Sequence, residues 1–210
     1  EAGASLDELG ICFMFAPKYH AATRRVADVR RQLGIRTAFN LLGPLANPGG
    51  ATHQLLGVFD DARRKAFAEV LRLLGLKGAW VVHGEPTEGA PRGLDEVSPA
   101  GPTKVTELRA DGSLAERVVE PRDAGLEPVP LSSLVGGDAK QNARIAEALL
   151  DGEHSGARTA VVLNAACALV IAGAASDLRE GRARAEVAID RGDARATLNA
   201  LREHMRGDHA

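Results

Sequence analysis

At 210 residues the chain is long enough to bury a substantial core, and 45% hydrophobic with 26% charged residues is a globular rather than a disordered composition. The 26 Lys and Arg are interleaved with 28 Asp and Glu, and the resulting net charge of -2 argues against a general nucleic-acid surface. Two cysteines exclude a disulfide scaffold: Cys12 and Cys167 sit in apolar surroundings and read as buried free thiols of a reducing, cytoplasmic compartment.

The chain opens at Glu1 with neither a methionine nor a signal peptide, which reads as a fragment or a processed product. From His20 to Leu33 the apolar positions Ala22, Val26, Val29 and Leu33 recur at helical spacing, with arginines on the other face. Leu41 to Pro48 is an irregular loop, because Gly43, Pro44 and Pro48 break regular structure and Asn40 and Asn47 can bridge the backbone groups left unpaired. Gln54 to Phe59 reads as a short buried strand. Asp60 or Asp61 then caps a helix with the stripe Ala66, Phe67, Val70, Leu71 and Leu74, stopped by Gly75. Ala79 to His83 is a second buried strand. Thr103 to Arg109 and Leu114 to Glu120 flank Asp111-Gly112, a hairpin signal. After a proline-bearing connector, Pro121 to Pro130, Asp138 caps a helix to about Leu150. Three more helices are expected over Ala157–Ala172, Asp177–Arg191 and Asp193–Met205. The longest apolar run, Ala160 to Ala175, is broken by Asn164 and rich in Ala and Gly, so no membrane span is expected. Strands alternating with helices predict one α/β domain over residues 1–210, built on a mixed, mainly parallel central sheet flanked by helices.

Among the polar groups, Asp95 and Glu96 follow the glycine-bearing loop Gly89 to Gly93, just past the strand that ends at His83. Ligands bind outside the carboxyl ends of strands in open α/β sheets, and adjacent loop carboxylates suit Mg²⁺; by pattern alone they read first as a solvated dipeptide. Arg30 and Arg31 read as the polar edge of their helix, although a guanidinium is also the best match for a carboxylate ligand. His20 is either a first-turn helix residue or a ligand contact. His83-Gly84-Glu85 is too short and solitary for a zinc site, and Gly136-Gly137 before Asp138 is a structural helix start.

Three stretches carry a resemblance. Phe13-Met14-Phe15-Ala16-Pro17-Lys18-Tyr19-His20, then Gly34 through Pro48 with Asn40 and Asn47, then Gly93-Leu94-Asp95-Glu96 together resemble the anthranilate phosphoribosyltransferases, from about Leu9 to about Leu201. The resemblance implies the fold shared by nucleoside phosphorylases and these transferases. It also implies transfer of the phosphoribosyl group from phosphoribosyl pyrophosphate (PRPP) to the amine of anthranilate, in tryptophan biosynthesis. Asp95 and Glu96 take the family's Mg²⁺ positions, Arg30 the anthranilate-carboxylate position, and Pro17 and His20 the acceptor channel. Thr23 stands where relatives often carry Met, Phe or Tyr, so the channel wall is expected to differ. The family's Gly-Thr-Gly-Gly-Asp phosphate loop, Lys-His-Gly-Asn-Arg motif and N-terminal helical domain are absent from these residues. The isolated chain is therefore expected to fold without being active, and a homodimer is implied for the longer protein. Partners are the two small molecules, with no nucleic acid and no membrane. The rival readings are a class II pyrimidine nucleoside phosphorylase, which has little reason to keep Gly-Leu-Asp-Glu, and a non-catalytic nucleic-acid-binding relative of the fold.

Overall fold

The computed structural model describes residues 2–19, 32, 43, 45–85, 87 and 90–207, with Ala16 and Pro17 described at the backbone only. In chain order the described elements are α1 (Ala2–Leu9), α2 (Ala16–Tyr19), β1 (His53–Gly57), α3 (Arg64–Leu73), β2 (Gly78–Gly84), β3 (Thr103–Leu108), β4 (Leu114–Val119), α4 (Ala139–Leu150), α5 (Gly156–Ile171), α6 (Leu178–Asp190) and α7 (Asp193–Gly207). They fall into two compact units, residues 1–51 with 196–210, and residues 52–195. All of the expected helix from His20 to Leu33 except Gln32 lies outside the described residues, and Thr23 and Asn40 lie outside with it.

In the first unit α1 and α7 are tied by His204, whose Nδ1 lies 3.3 Å from a Glu8 carboxylate oxygen. Ser5 is buried because its hydroxyl donates to the Ile11 carbonyl at 2.7 Å, closing the turn after α1. Cys12 is only half-buried, against the expectation of two buried thiols; Cys167 is fully buried, and burial pushes its thiol up to about 12.

The second unit carries a four-stranded mixed sheet in the order β1-β2-β3-β4. β1 and β2 are parallel, from His53 opposite Gly78 to Gly57 opposite Val82. β2–β3 and β3–β4 are antiparallel, the latter closed by Asp111-Gly112, where Gly112 takes φ 80°. The sequence weighted the sheet toward parallel pairing, whereas one of these three pairings is parallel. β3 starts at the edge where β2 ends, with Thr103 opposite Gly84, so the two strands run antiparallel. β1 also ends earlier than the expected Phe59. The Val58 amide still donates to the Val82 carbonyl at 2.9 Å, but the Val58 carbonyl turns to meet the His83 ring instead of extending the ladder.

β2 is buried along its whole length, as its unbroken apolar run Ala79 to Val82 requires. Helices cover both faces. Trp80, Val82 and Val105 pack with Leu163, Ala166 and Cys167 of α5, and truncating a side chain such as Trp80 there typically costs about 3–5 kcal/mol. α5 meets α6 closely because Gly181 has no side chain; a Cβ there would come within 2.8 Å of the Ala166 carbonyl. On the other face Arg64 of α3 reaches the Thr106 hydroxyl. Side-chain caps start the helices where Asp or Ser precedes them: Asp138 Oδ1 accepts from the Gln141 amide at 2.7 Å, Ser155 from Arg158 and Asp177 from Glu180.

Candidate active site

Because β1 and β2 are parallel, both end at the same edge of the sheet, and antiparallel β3 begins there with Thr103 opposite Gly84. The connection from β2 to β3 therefore leaves and re-enters the sheet at that edge. Within it Leu94 forms a bridge to the end of β2: the Gly84 amide donates to the Leu94 carbonyl at 2.9 Å, and the Leu94 amide returns the bond at 3.0 Å. Three residues on, the Asn164 side chain holds both main-chain groups of Val97. The Ser98 amide then donates to Thr103 Oγ1 at 2.9 Å, and the Pro99 carbonyl accepts from the Val129 amide at 2.9 Å. Asp95 and Glu96 occupy the stretch between these ties.

Glycines make the close approach possible. Gly57 ends β1 directly beneath Asp95, and a Cβ there would overlap the Asp95 carbonyl. Gly93 takes φ 76°, which L side chains rarely adopt, and a Cβ would collide with the Gly84 carbonyl and the His83 ring. His83 is 4% exposed and its Nδ1–H donates to the Val58 carbonyl at 2.8 Å, so the proton sits on Nδ1. The histidine supports the turn from beneath.

Both carboxylates are exposed. Protein crowding on the inner flank of Glu96, and secondarily the Asp95 charge, hold its carboxyl above the usual carboxylate range. Two adjacent exposed carboxylates on a turn offer oxygen ligands that suit a divalent cation. Among the described residues no group of three or more His, Cys, Asp or Glu could hold a metal. Mg²⁺, which takes hard oxygen ligands and keeps several waters, suits such a pair better than Zn²⁺ does.

A cleft of about 690 Å³ lies along the stretch that leaves the turn, lined by Thr87, Ala100, Val129, Leu131, Ser132 and Val135; neither acid lines it. At the opposite edge of the sheet a cavity of about 310 Å³ is lined by His53, Lys77, Trp80, Glu107, Arg109 and Gly173, and no sequence-predicted site residue lies there. Of those residues, Asp95 and Glu96 are brought together at the strand ends. Pro17 lies in α2; in the segment before that helix the exposed Phe13 and Phe15 rings have centroids 6.4 Å apart. His20 and Arg30 lie outside the described residues. Sequence reasoning overlooked Gly57 and Asn164. The signal for Asn164 was present as a polar amide inside an apolar helix, while nothing in the sequence tells Gly57 from any glycine at a strand end.

A family model described as the glycosyl transferase family a/b domain matches residues 1–195. The chain is 54% identical over 198 residues to anthranilate phosphoribosyltransferase of Myxococcus xanthus, covering 94% of this chain and 57% of that protein. It is 50% identical over 196 residues to that of Anaeromyxobacter sp. strain K, covering 93% and 56%. Among solved structures it resembles anthranilate phosphoribosyltransferase of Thermus thermophilus, with TM-score 0.87, 38% identity, and 98% of this chain against 59% of that one. The Saccharomyces cerevisiae enzyme in complex with PRPP and Mg gives TM-score 0.83 at 29% identity, covering 94% and 55%. The chain thus spans a little over half the length of the curated relatives it matches.

Proposed function

The chain belongs to the glycosyl transferase family in its a/b domain, and from that premise we propose that it is the α/β part of an anthranilate phosphoribosyltransferase. In this reading residues 1–210 form one glycosyltransferase-type domain. The reaction joins the amine of anthranilate to C1 of the ribose of PRPP, giving N-(5-phosphoribosyl)anthranilate and pyrophosphate, the pentosyl-transfer step of tryptophan biosynthesis. One observation carries the reading: the Gly93-Leu94-Asp95-Glu96 turn is tied across the carboxyl ends of the parallel strands with both acids facing out. In support, one of the structural relatives was solved with PRPP and Mg.

Asp95 and Glu96 would hold Mg²⁺, which when bound neutralises charge building on the departing diphosphate. The protein's own share is alignment. An arylamine is already nucleophilic, so binding has mainly to bring it to C1 and keep it there. Arg30 receives the anthranilate carboxylate through a bidentate, charge-assisted contact, and Pro17 and His20 line the approach of the acceptor. The longer protein is read as a cytoplasmic homodimer; no described helix is long and apolar enough to cross a membrane.

The test is loss of anthranilate fluorescence by the intact protein with PRPP and Mg²⁺. The reading expects turnover that stops on chelation and falls when Arg30→Ala raises KM for anthranilate. Turnover with a pyrimidine nucleoside and phosphate in place of these substrates would replace it with the phosphorylase reading.

A further inference from the structure

The acids at the strand ends are carried by a turn tied down on both flanks. One tie comes from a residue that the sequence shows only as a flaw in an apolar helix. Asn164 sits midway along α5 among the buried Val162, Leu163, Ala166 and Cys167. A primary amide in such company needs partners, and it finds them at Val97. Its Oδ1 accepts the Val97 amide at 3.1 Å, and its Nδ2 donates to the Val97 carbonyl at 3.0 Å and to the Ala160 carbonyl, one turn back, at 3.0 Å. Three of the four hydrogen bonds an amide can make are used.

The pairing has a geometric consequence. A side chain that holds both main-chain groups of one residue fixes that residue's position and also its rotation about the chain. Val97, fully buried, is the residue immediately after Glu96. On the other flank Leu94 is fixed in the same two-bonded manner by Gly84. Only Asp95 and Glu96 lie between the two clamps, and the Asp95 carbonyl rests on Gly57. A two-residue span between fixed ends leaves the backbone that carries the carboxylates few arrangements.

We propose that Asn164 is a positioning residue for the Asp95–Glu96 pair: it sets the peptide after Glu96 so that both carboxylates reach one divalent cation. The inference rests on the reading of the pair as metal-holding. Partners of this kind, one step removed from the ligands, typically change metal affinity by about 10–100-fold.

The experiment uses Mn²⁺ as the probe, binding to the intact protein in the presence of PRPP and followed by electron paramagnetic resonance. Alongside it, the Mg²⁺ concentration for half-maximal rate is measured. Asn164→Ala is expected to weaken Mn²⁺ by at least about tenfold and raise the Mg²⁺ requirement equally, while KM for anthranilate stays within about twofold of wild type. A loss of packing alone would not divide the effect that way. Asn164→Ser is measured as the milder variant, since its hydroxyl can engage one Val97 group but not both; an intermediate weakening is expected. Wild-type Mn²⁺ affinity in either variant overturns the proposal. Asp95→Asn with Glu96→Gln separates the two readings: if that protein loses Mn²⁺ while Asn164→Ala keeps it, only the positioning role fails. If it binds Mn²⁺ as wild type does, the metal reading of the pair fails and the positioning role falls with it.

Discussion

Asp61 and Glu116 converge on one buried guanidinium, whereas Asp95 and Glu96 stand side by side at the edge of the same sheet with no cation beside them among the described residues. Arg64 is 6% exposed; its Nε donates to Asp61 at 2.8 Å and its Nη1 to Glu116 and to the Thr106 hydroxyl. Lys104 adds a second cation to Asp61 at 3.1 Å. Burial works against both acids, but the hydrogen bonds from Arg64 prevail and hold Asp61 and Glu116 below the usual carboxylate range. Crowding and its neighbour's charge instead hold Glu96 above that range. The contrast teaches how to sort acids in this protein. The pair that the fold neutralises fastens α3 to β3 and β4. The pair that the fold crowds without neutralising is the one proposed above to hold a cation.

Removing charge at the two places should break them in opposite ways. Asp95→Asn with Glu96→Gln keeps shape and deletes both charges at the open pair. Electrostatic groups of this sort are typically worth about 10²–10³ in rate, so kcat in the intact protein should fall by at least about a hundredfold at ordinary Mg²⁺. The melting temperature should move little, because exposed loop carboxylates contribute little to stability. A matching fall in melting temperature would mean that this pair is as structural as the other.

Gly57→Ala probes the support beneath the open pair. The new methyl would occupy the place of the Asp95 carbonyl, and backbone on both sides has little room to yield. Overpacking of this kind costs about 1–3 kcal/mol, read as an equal loss in denaturant stability together with a raised Mg²⁺ requirement. A variant with wild-type Mg²⁺ dependence would show that the turn tolerates displacement. Arg64→Met is the counterpart at the satisfied pair. Removing one partner of a buried ion pair can cost about 3–5 kcal/mol. Here Asp61 and Glu116 keep 38% and 44% of their side chains in water, so solvent screening reduces the expectation to about 2 kcal/mol. Urea unfolding should register that loss with KM for both substrates unchanged; altered substrate affinity would join the two regions after all.

Much of this arrangement is legible in the sequence because local chemistry decides it. Asp138, Asp177 and Asp111-Gly112 act through neighbours two or three residues away, so helix starts and the hairpin are readable before any tertiary contact is known. The run Ala79 to Val82 announces a buried strand in the same way. Placement of Asp95-Glu96 at the strand ends followed from a strand, a glycine-bearing loop and two acids in order. What the sequence hides is long-range. Asn164 meets Val97 across 67 positions, and Gly57 matters only because residue 95 folds back onto it. Arg64 likewise reads as one more surface arginine until Glu116, 52 positions away, is seen beside it.

The smallest effect expected is that of acid on the satisfied groups, and its sign follows from the direction of the shifts. Asp61 and Glu116 are held below their ordinary values in the folded chain. Glu180 is held down to about 2, first by the Ser176 amide, next by the Ser176 hydroxyl, then by Arg184. A lowered folded-state value means that the unfolded chain binds protons first as pH falls. The stabilisation is therefore complete above the ordinary carboxylate value of about 4 and is lost progressively as pH descends through the folded-state values. Urea midpoints should be flat from about pH 7 to 5 on account of these groups and decline below about pH 4. Glu180→Gln should lower the midpoint slightly at pH 7 and flatten the decline between about pH 4 and 2, because the group that takes up the proton is gone. Arg64→Met should flatten it as well, by releasing Asp61 and Glu116 toward ordinary values. An acid limb that stays as steep in both variants would place the acid sensitivity outside this charge network.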